Sequence, residues 1–293
     1  MNAGRSNTSK TVSRALVDGQ VSVVFQPIVD LLNGSVFAYE ALARCKAKGL
    51  ENPVTLFEVA AEQKLCGRLG RTIRELATVD CAEHPLFLNV HPHELADRYL
   101  VQPDDPIFTH EPGVYLEITE SVPLSHHALV DGTLREVRSK GVGLVVDDLG
   151  AGYSNLRYIA DLEPEIVKLD RGLIINLHED PRRARLVASI VRLCGDLGAR
   201  VVAEGVETTD ELLAIVDAGV HYVQGYLLAR PAHPPPKPAA HDSIPSAPGS
   251  RRGARVKSGV EEKHRAGDSD KVEAAPAVKR RKTASGLKSG GST

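Results

Sequence analysis

Acidic and amide side chains follow one short apolar run after another in this chain of 293 residues. Each run of Val, Ile, Leu or Phe has the length of a buried strand, and each closes on a polar side chain. In a β/α barrel the carboxyl ends of the parallel strands meet at one mouth, so these side chains would meet there. Carboxylates in one place repel one another unless cations lie between them, which predicts a divalent-metal site. The strand-end side chains are Glu40, Asn89, Glu117, Asp147, Asp148, Lys168 and Glu204.

The elements that must position these side chains alternate as a barrel requires. The first two predicted strands, 21–29 and 36–43, flank an Asn33-Gly34 turn, which favours an antiparallel hairpin. Later strands alternate with helices, which is typical of parallel βα units. The remaining strands are predicted at 85–90, 113–119, 143–148, 166–169, 200–204 and 221–224.

These patterns predict a TIM-type (β/α)8 barrel with an antiparallel first strand, because a short hairpin cannot join parallel strands. The alternative is an open doubly wound sheet, which would need a glycine-rich fingerprint after its first strand, and the chain has none there. The longest predicted helices span 54–63, 69–82, 125–140, 182–197 and 208–218.

Composition favours a soluble protein, with 42% hydrophobic and 25% charged residues. The apolar runs are far shorter than the ~20 residues that cross a bilayer. The start, MNAGRSNTSK, lacks the apolar core of a secretory signal. The four cysteines have no C-x-x-C spacing and are expected to be reduced thiols. We therefore expect a cytoplasmic protein without a membrane span.

Charge divides the chain into two unlike parts. From Pro234 onward there are 13 Lys+Arg and 6 Asp+Glu, a net charge of +7, and the remainder has 23 and 32, a net charge of −9. We predict a flexible N-terminus at 1–13, a barrel domain at 14–232 and a disordered tail at 233–293 rich in Pro, Ala, Ser and Gly. The basic run Lys279–Lys282 would attract nucleic acid, anionic lipid or an acidic protein, and a merely solvated tail is the alternative.

A set of short motifs lies in one order along residues 15–232, and it includes Tyr39–Arg44 (YEALAR). Together they resemble the EAL-domain cyclic-di-GMP phosphodiesterases. The further matches are Phe25–Ile28 (FQPI), Phe87–Asn89 (FLN), Leu116–Glu120 (LEITE), Val146–Ser154 (VDDLGAGYS), Val167–Asp170 (VKLD), Ala203–Glu207 (AEGVE) and Gln224–Tyr226 (QGY).

The resemblance implies hydrolysis of cyclic-di-GMP to linear pGpG by a homodimer that holds two Mg²⁺ or Mn²⁺ ions. It assigns catalytic roles to Lys168, Glu204 and Glu40. One ion would be held by Glu40, Asn89, Glu117 and Asp147. The second ion would be held by Asp147 and Asp148, with Glu204 on the water side of the cluster.

Other positions take supporting roles by the same resemblance. The substrate-binding positions are Gln26, Arg44 and Gln224, and the loop-supporting and outer positions are Glu120, Asp170 and Glu207. Two positions depart from the family pattern, Leu149 in place of Phe and Ala151 in place of Thr, and either could change how the adjoining loop regulates activity. The alternative function is a catalytically silent effector that binds cyclic-di-GMP. His91 and His93 match no family position and are interpreted as loop residues.

Overall fold

The computed structural model of the chain describes residues 12–96, 99–119, 127–151, 156–239 and Ile244. Eight strands close into a barrel in chain order, as the sequence predicts. Successive strands from the second to the eighth run parallel, so their carboxyl ends form one mouth. The strands are β1 (Val21–Asp30), β2 (Val36–Cys45), β3 (Leu86–Asn89), β4 (Val114–Thr119), β5 (Gly143–Leu149), β6 (Ile166–Leu169), β7 (Arg200–Ala203) and β8 (Tyr222–Val223).

Strand β1 is antiparallel to both of its neighbours, β2 and β8. Its first residue, Val21, lies opposite Cys45, and Gln26 lies opposite Glu40. The predicted antiparallel first strand is therefore confirmed. Because β1 runs downward from the mouth, its early residues reach the same end of the barrel as the late residues of β2.

Helices connect the parallel strands, and residues 12–17 form a further helical segment before β1. The last helix begins with a capping box, in which Thr208 and Glu211 satisfy each other's backbone N–H groups. Short 3₁₀ helices lie at Tyr99–Val101, Pro106–Phe108 and Leu177–Glu179. The helices are α1 (Pro53–Glu62), α2 (Cys66–Asp80), α3 (Pro92–Ala96), α4 (His127–Ser139), α5 (Arg157–Leu162), α6 (Arg171–Ile174), α7 (Pro181–Asp196) and α8 (Thr209–Asp217). Among the described residues, we find no helix with the length and apolar content that a membrane crossing requires.

The inside of the barrel has an apolar layer at the end opposite the mouth, which we call the floor layer. Phe37 closes it from below, since a register irregularity in the β1–β2 pairing lets its ring stack on Tyr222 at a centroid distance of 4.2 Å. This layer keeps water from entering the barrel from beneath. Its buried members are Ile28, Ala38, Phe87, Val145, Ile166, Val202 and Tyr222, with Tyr115 packed against them.

After β8 the chain returns along the outside of the β1–β2 hairpin. Ala232 pairs with Phe25, and the Tyr39 hydroxyl donates to the Pro236 carbonyl at 3.0 Å. The Ala239 N–H donates to the Leu228 carbonyl at 2.8 Å. Residues 233–239, which composition placed in the tail, therefore cover the buried side chains of Phe25 and Tyr39. The domain boundary itself stays a prediction.

Two truncations test where the folded domain ends. Removal of residues 245–293 should leave the melting temperature unchanged if the composition correctly predicts a tail. Removal of 233–293 should lower the free energy of unfolding by roughly 2–4 kcal/mol, because it exposes large apolar side chains and breaks the Tyr39 hydrogen bond. Equal melting temperatures for the two truncations would show that residues 233–239 add nothing to the domain.

A buried ion network joins α2 to α3 and to the loop before Pro106. Arg74 contacts Glu94 at 2.7 Å and Asp105 at 2.8 Å, and all three side chains are at most 2% exposed. Burial raises the pKa of Glu94, although Arg74 acts in the opposite direction. Gly70 makes room for the pair, since a Cβ there would lie 1.9 Å from the Glu94 Oε2 atom.

We expect Arg74→Met to lower the free energy of unfolding by about 3–5 kcal/mol, because it leaves two buried carboxylates without their cation. The matched control is Arg71→Met, one turn earlier on α2, whose partner Asp104 is exposed. A chemical denaturation curve of each variant makes the comparison. The network would be irrelevant to stability if both curves matched the wild type.

Candidate active site

The predicted site residues form a polar layer directly above the floor layer. Each one lies two residues nearer the mouth than a floor residue of the same strand, and period two along a strand keeps both on the inner face. Gln26 obeys the same rule in the reverse direction because β1 is antiparallel. The barrel thus gathers one side chain from each of the eight strands or from the residue directly after it: Gln26, Glu40, Asn89, Glu117, Asp147, Lys168, Glu204 and Gln224.

Lys168 lies at the centre of this layer, and its side chain is 1% exposed. Its Nζ atom is 2.5 Å from Glu117 Oε1 and 2.6 Å from Glu204 Oε1. It is 3.2 Å from Asp147 Oδ1 and 3.6 Å from Glu40 Oε2. We call the five acidic residues around it, Glu40, Glu117, Asp147, Asp148 and Glu204, the carboxylate cage.

The cage perturbs the acidity of its members. Burial acts to lower the pKa of Lys168, but the charges of Glu117 and Glu204 raise it well above its ordinary value. Burial and the charge of Glu40 raise the pKa of Glu117 well above its ordinary value, despite Lys168. Burial also raises the pKa of Glu204, to about 8. Lys168 therefore stays cationic, and one cation does not offset the repulsion among the acidic groups.

Glu40 behaves differently because donors surround it. Its Oε2 atom accepts from Gln224 Nε2 at 2.5 Å, and its Oε1 atom accepts from Asn89 Nδ2 at 3.1 Å. Gln224 also donates to Gln26 Oε1 at 3.1 Å. Burial acts to raise the pKa of Glu40, yet Lys168 and these two amides bring it below its ordinary value. Glu40 is thus held as a carboxylate, in contrast to Glu117 and Glu204.

A bulge in β5 brings two consecutive aspartates to the site. Val146 pairs with Val167 and Leu149 pairs with Leu169, so Asp147 and Asp148 together lie opposite Lys168 alone. Asp148 adopts φ +60, a left-handed conformation that is uncommon for residues other than Gly, Asn and Asp. A regular strand would turn consecutive side chains to opposite faces. Here carboxylate oxygens of Asp147, Asp148 and Glu204 lie within 4.8 Å of one another.

The donor set fits hard divalent cations. Both Glu117 oxygens and Asp147 Oδ1 are buried without a hydrogen bond of acceptable geometry, although Lys168 lies near them. Buried acceptors of this kind call for a further partner. Carboxylate and amide oxygens are the ligands that Mg²⁺ and Mn²⁺ prefer. The residues present therefore suit such ions.

The remaining predicted residues lie around this centre. Arg44 is on the inner face of β2, four residues beyond Glu40 toward the mouth, and donates to the Ala43 carbonyl. Asp170 caps α6 by accepting from the Gly172 N–H at 2.7 Å, and Glu207 forms an ion pair with Arg171 at 2.9 Å. Glu120 lies outside the described residues, as do residues 152–155 of the loop that follows Ala151.

Two structural features that hold the site residues in position were not predicted from the sequence. The Ala229 carbonyl accepts from Gln26 Nε2 at 3.1 Å and so orients that amide. Gly225 lets the backbone after Gln224 approach Val206, since a Cβ there would lie 2.0 Å from the Val206 oxygen. A backbone carbonyl carries no residue-type signal, whereas the glycine beside Gln224 is visible in the sequence.

The family model described as EAL domain matches residues 9–231. The chain belongs to the EAL domain family. The cyclic di-GMP phosphodiesterase RocR of Pseudomonas aeruginosa is 33% identical over 234 residues, which cover 75% of this chain and 59% of RocR. An uncharacterized signaling protein of Caulobacter vibrioides is 30% identical over 241 residues, covering 78% of this chain and 29% of that relative.

A solved EAL structure has the same fold. The BlrP1 protein of Klebsiella pneumoniae, in a complex with calcium and cyclic-di-GMP, superposes with a TM-score of 0.64 at 30% identity. The match covers 73% of this chain and 56% of that one. The chain thus spans about three to six tenths of the length of these relatives.

Replacement of Lys168 tests how the cage is held together. We expect Lys168→Met to lower the free energy of unfolding without divalent ions by about 3–5 kcal/mol, because the buried carboxylates lose their cation. Mn²⁺ should raise the melting temperature of this variant more than that of the wild type, since the ion replaces the missing charge. The exposed Lys48→Met serves as the control, and an equal Mn²⁺ response in all three proteins would refute the role of Lys168.

Proposed function

We propose that this EAL domain hydrolyses cyclic-di-GMP to linear pGpG and uses two Mg²⁺ or Mn²⁺ ions. The observation that carries the proposal is the complete set of oxygen donors around buried Lys168 at the barrel mouth. RocR is a cyclic di-GMP phosphodiesterase by name and the BlrP1 complex contains cyclic-di-GMP, which supports the same substrate for this chain.

Formal charge favours two divalent ions. The cage has five carboxylates, and Lys168 with two divalent ions carries five positive charges. We assign Glu40, Asn89, Glu117 and Asp147 to one ion. We assign Asp147 and Asp148 to the other, with Glu204 beside them. When bound, such ions supply charge that polarises a phosphodiester and acidifies water at neutral pH.

The side chains of the chain itself define how a substrate would approach. The floor layer blocks entry from below, so both the dinucleotide and the attacking water must come from the mouth. Lys168 stays cationic and can orient the water or balance charge on the phosphate. The guanidinium of Arg44 suits a phosphate oxygen, and its place nearer the mouth than Glu40 fits a substrate contact.

Gln26 and Gln224 form the wall of the site next to Glu40. Their mutual hydrogen bond and the Ala229 carbonyl fix both amides, so neither needs to reorganise when substrate binds. Neither of the departures, Leu149 and Ala151, is at a predicted ligand position, and Leu149 is buried in the outer core. Homodimerisation and the partner of the basic tail stay predictions.

The decisive experiment is product analysis with purified protein. Incubation with cyclic-di-GMP and Mg²⁺ or Mn²⁺ should yield pGpG on chromatography, and chelation should stop it. Glu40→Ala should reduce turnover at least about 100-fold, because the variant loses a proposed metal ligand that also accepts hydrogen bonds from Asn89 and Gln224. Glu58→Ala, an exposed glutamate on α1, is the matched control.

Two results would contradict the proposal. Turnover by Glu40→Ala at the wild-type rate would show that the reaction does not need the carboxylate cage. Binding of cyclic-di-GMP without any product, under conditions in which Mn²⁺ binds, would make the chain an effector rather than an enzyme.

A further inference from the structure

A second group of metal-ligating side chains lies outside the carboxylate cage. Cys66, His91 and His93 each place a ligand atom so that all three atoms lie within 4.8 Å of one another. The sequence brings together the two histidines, of which His91 precedes α3 and His93 lies in α3, and helix α2 adds the cysteine. None of the residues assigned to the carboxylate cage belongs to this group, which we call the Cys66 cluster.

Phe57 of α1 organises the cluster from both sides. Its carbonyl accepts from the Cys66 thiol at 4.0 Å, and its ring lies parallel to the His91 ring at a centroid distance of 6.0 Å. The His91 and His93 rings are stacked at 5.0 Å with an interplanar angle of 10°. The cysteine is buried and His93 is exposed, so an ion could enter from solvent on the His93 side.

The spacing of the imidazoles matches a tetrahedral ion. The Nδ1 atoms of His91 and His93 are 3.3 Å apart. Zinc–nitrogen bonds of about 2.0–2.1 Å at a tetrahedral angle place two nitrogens about 3.3 Å apart. A thiolate sulfur, with a bond of about 2.3 Å, would lie about 3.6 Å from each nitrogen. The Cys66 sulfur lies within 4.8 Å of one ring nitrogen of each histidine, so a side-chain adjustment of Cys66 would bring it to bonding distance of the ion.

The donors also differ in kind from those of the cage. One thiolate and two imidazoles favour Zn²⁺ and other late first-row ions over Mg²⁺, which requires oxygen ligands. Cys66 is the first residue of α2, so an ion bound there would be held at the start of that helix.

We propose that Cys66, His91 and His93 bind one late first-row divalent ion such as Zn²⁺, with a fourth position open to water or another ligand. Binding forms a sulfur–metal bond and releases the thiol proton to solvent. The ion would tie the first turn of α2 to the segment that directly follows Asn89, and so connect this cluster mechanically to the polar layer.

The alternative is a hydrogen-bonded histidine pair without a metal. The backbone N–H of His93 donates to His91 Nδ1 at 3.3 Å. The two ring Nδ1 atoms are also 3.3 Å apart, so a proton on one of them could bridge the two rings. The two possibilities differ in one observable, because only metal binding joins Cys66 to the histidines.

Titration of the purified full chain with Co²⁺ separates them. Excess Mg²⁺ is present to occupy the oxygen ligands of the cage, which in any case give no sulfur-to-metal absorption. The wild type should develop the near-ultraviolet charge-transfer band of a Co²⁺–thiolate bond and the visible bands of tetrahedral cobalt. One equivalent of Zn²⁺ should abolish both bands.

The variants identify the ligands. Cys66→Ser should lose the charge-transfer band, and Cys81→Ser, which alters another buried cysteine, should keep it. His93→Ala changes an exposed side chain that is expected not to affect folding, and should bind Co²⁺ at least about tenfold more weakly. Absence of the band in the wild type, or its persistence in Cys66→Ser, would overturn the proposal. The readout is optical, so the outcome is independent of whether the barrel hydrolyses cyclic-di-GMP.

Discussion

Repulsion among buried carboxylates is the constraint on which the rest of this barrel depends. At an effective dielectric constant of 20, two like charges 4 Å apart cost about 4 kcal/mol, and the cage brings five acidic groups to one place. Lys168 lies within 3.6 Å of four of them and is buried with them. The lysine keeps the cage compatible with a folded chain, and the repulsion that remains gives the site its affinity for further cations.

Irregularities in the strands, rather than the regular barrel, direct several of the key side chains into the site. The β5 bulge sets two aspartates against one lysine, and the left-handed backbone of Asp148 is the local strain that this arrangement requires. The antiparallel β1 has a similar effect at the other side of the site. It brings Gln26 beside Gln224 with its amide fixed by Ala229, which a parallel first strand starting from the floor would not do at this register.

Period two explains how much of the site the sequence predicts. Strand after strand has the same pattern: an apolar residue faces inward, the next residue faces outward, and a polar residue then faces inward. The sequence alone therefore predicts that Glu40, Glu117 and Lys168 lie inside the barrel. The same rule fails at Asp147–Asp148, because a regular strand would turn one of them away. It also fails for Cys66, which meets His91 only through helix packing, and for residues 233–239, whose composition resembles a linker although they cover Phe25 and Tyr39.

The separation of stability from chemistry follows from the two stacked layers. Floor residues such as Phe87 and Val145 contribute apolar burial, which favours the folded state whatever the ionic conditions. The layer above contributes repulsion, which opposes folding until cations bind to it. Because a cation that binds only the folded barrel stabilises it by mass action, stability and occupancy of the cage are thermodynamically linked. A substitution in the floor should therefore act at every metal concentration, whereas one in the cage changes how strongly stability depends on the metal.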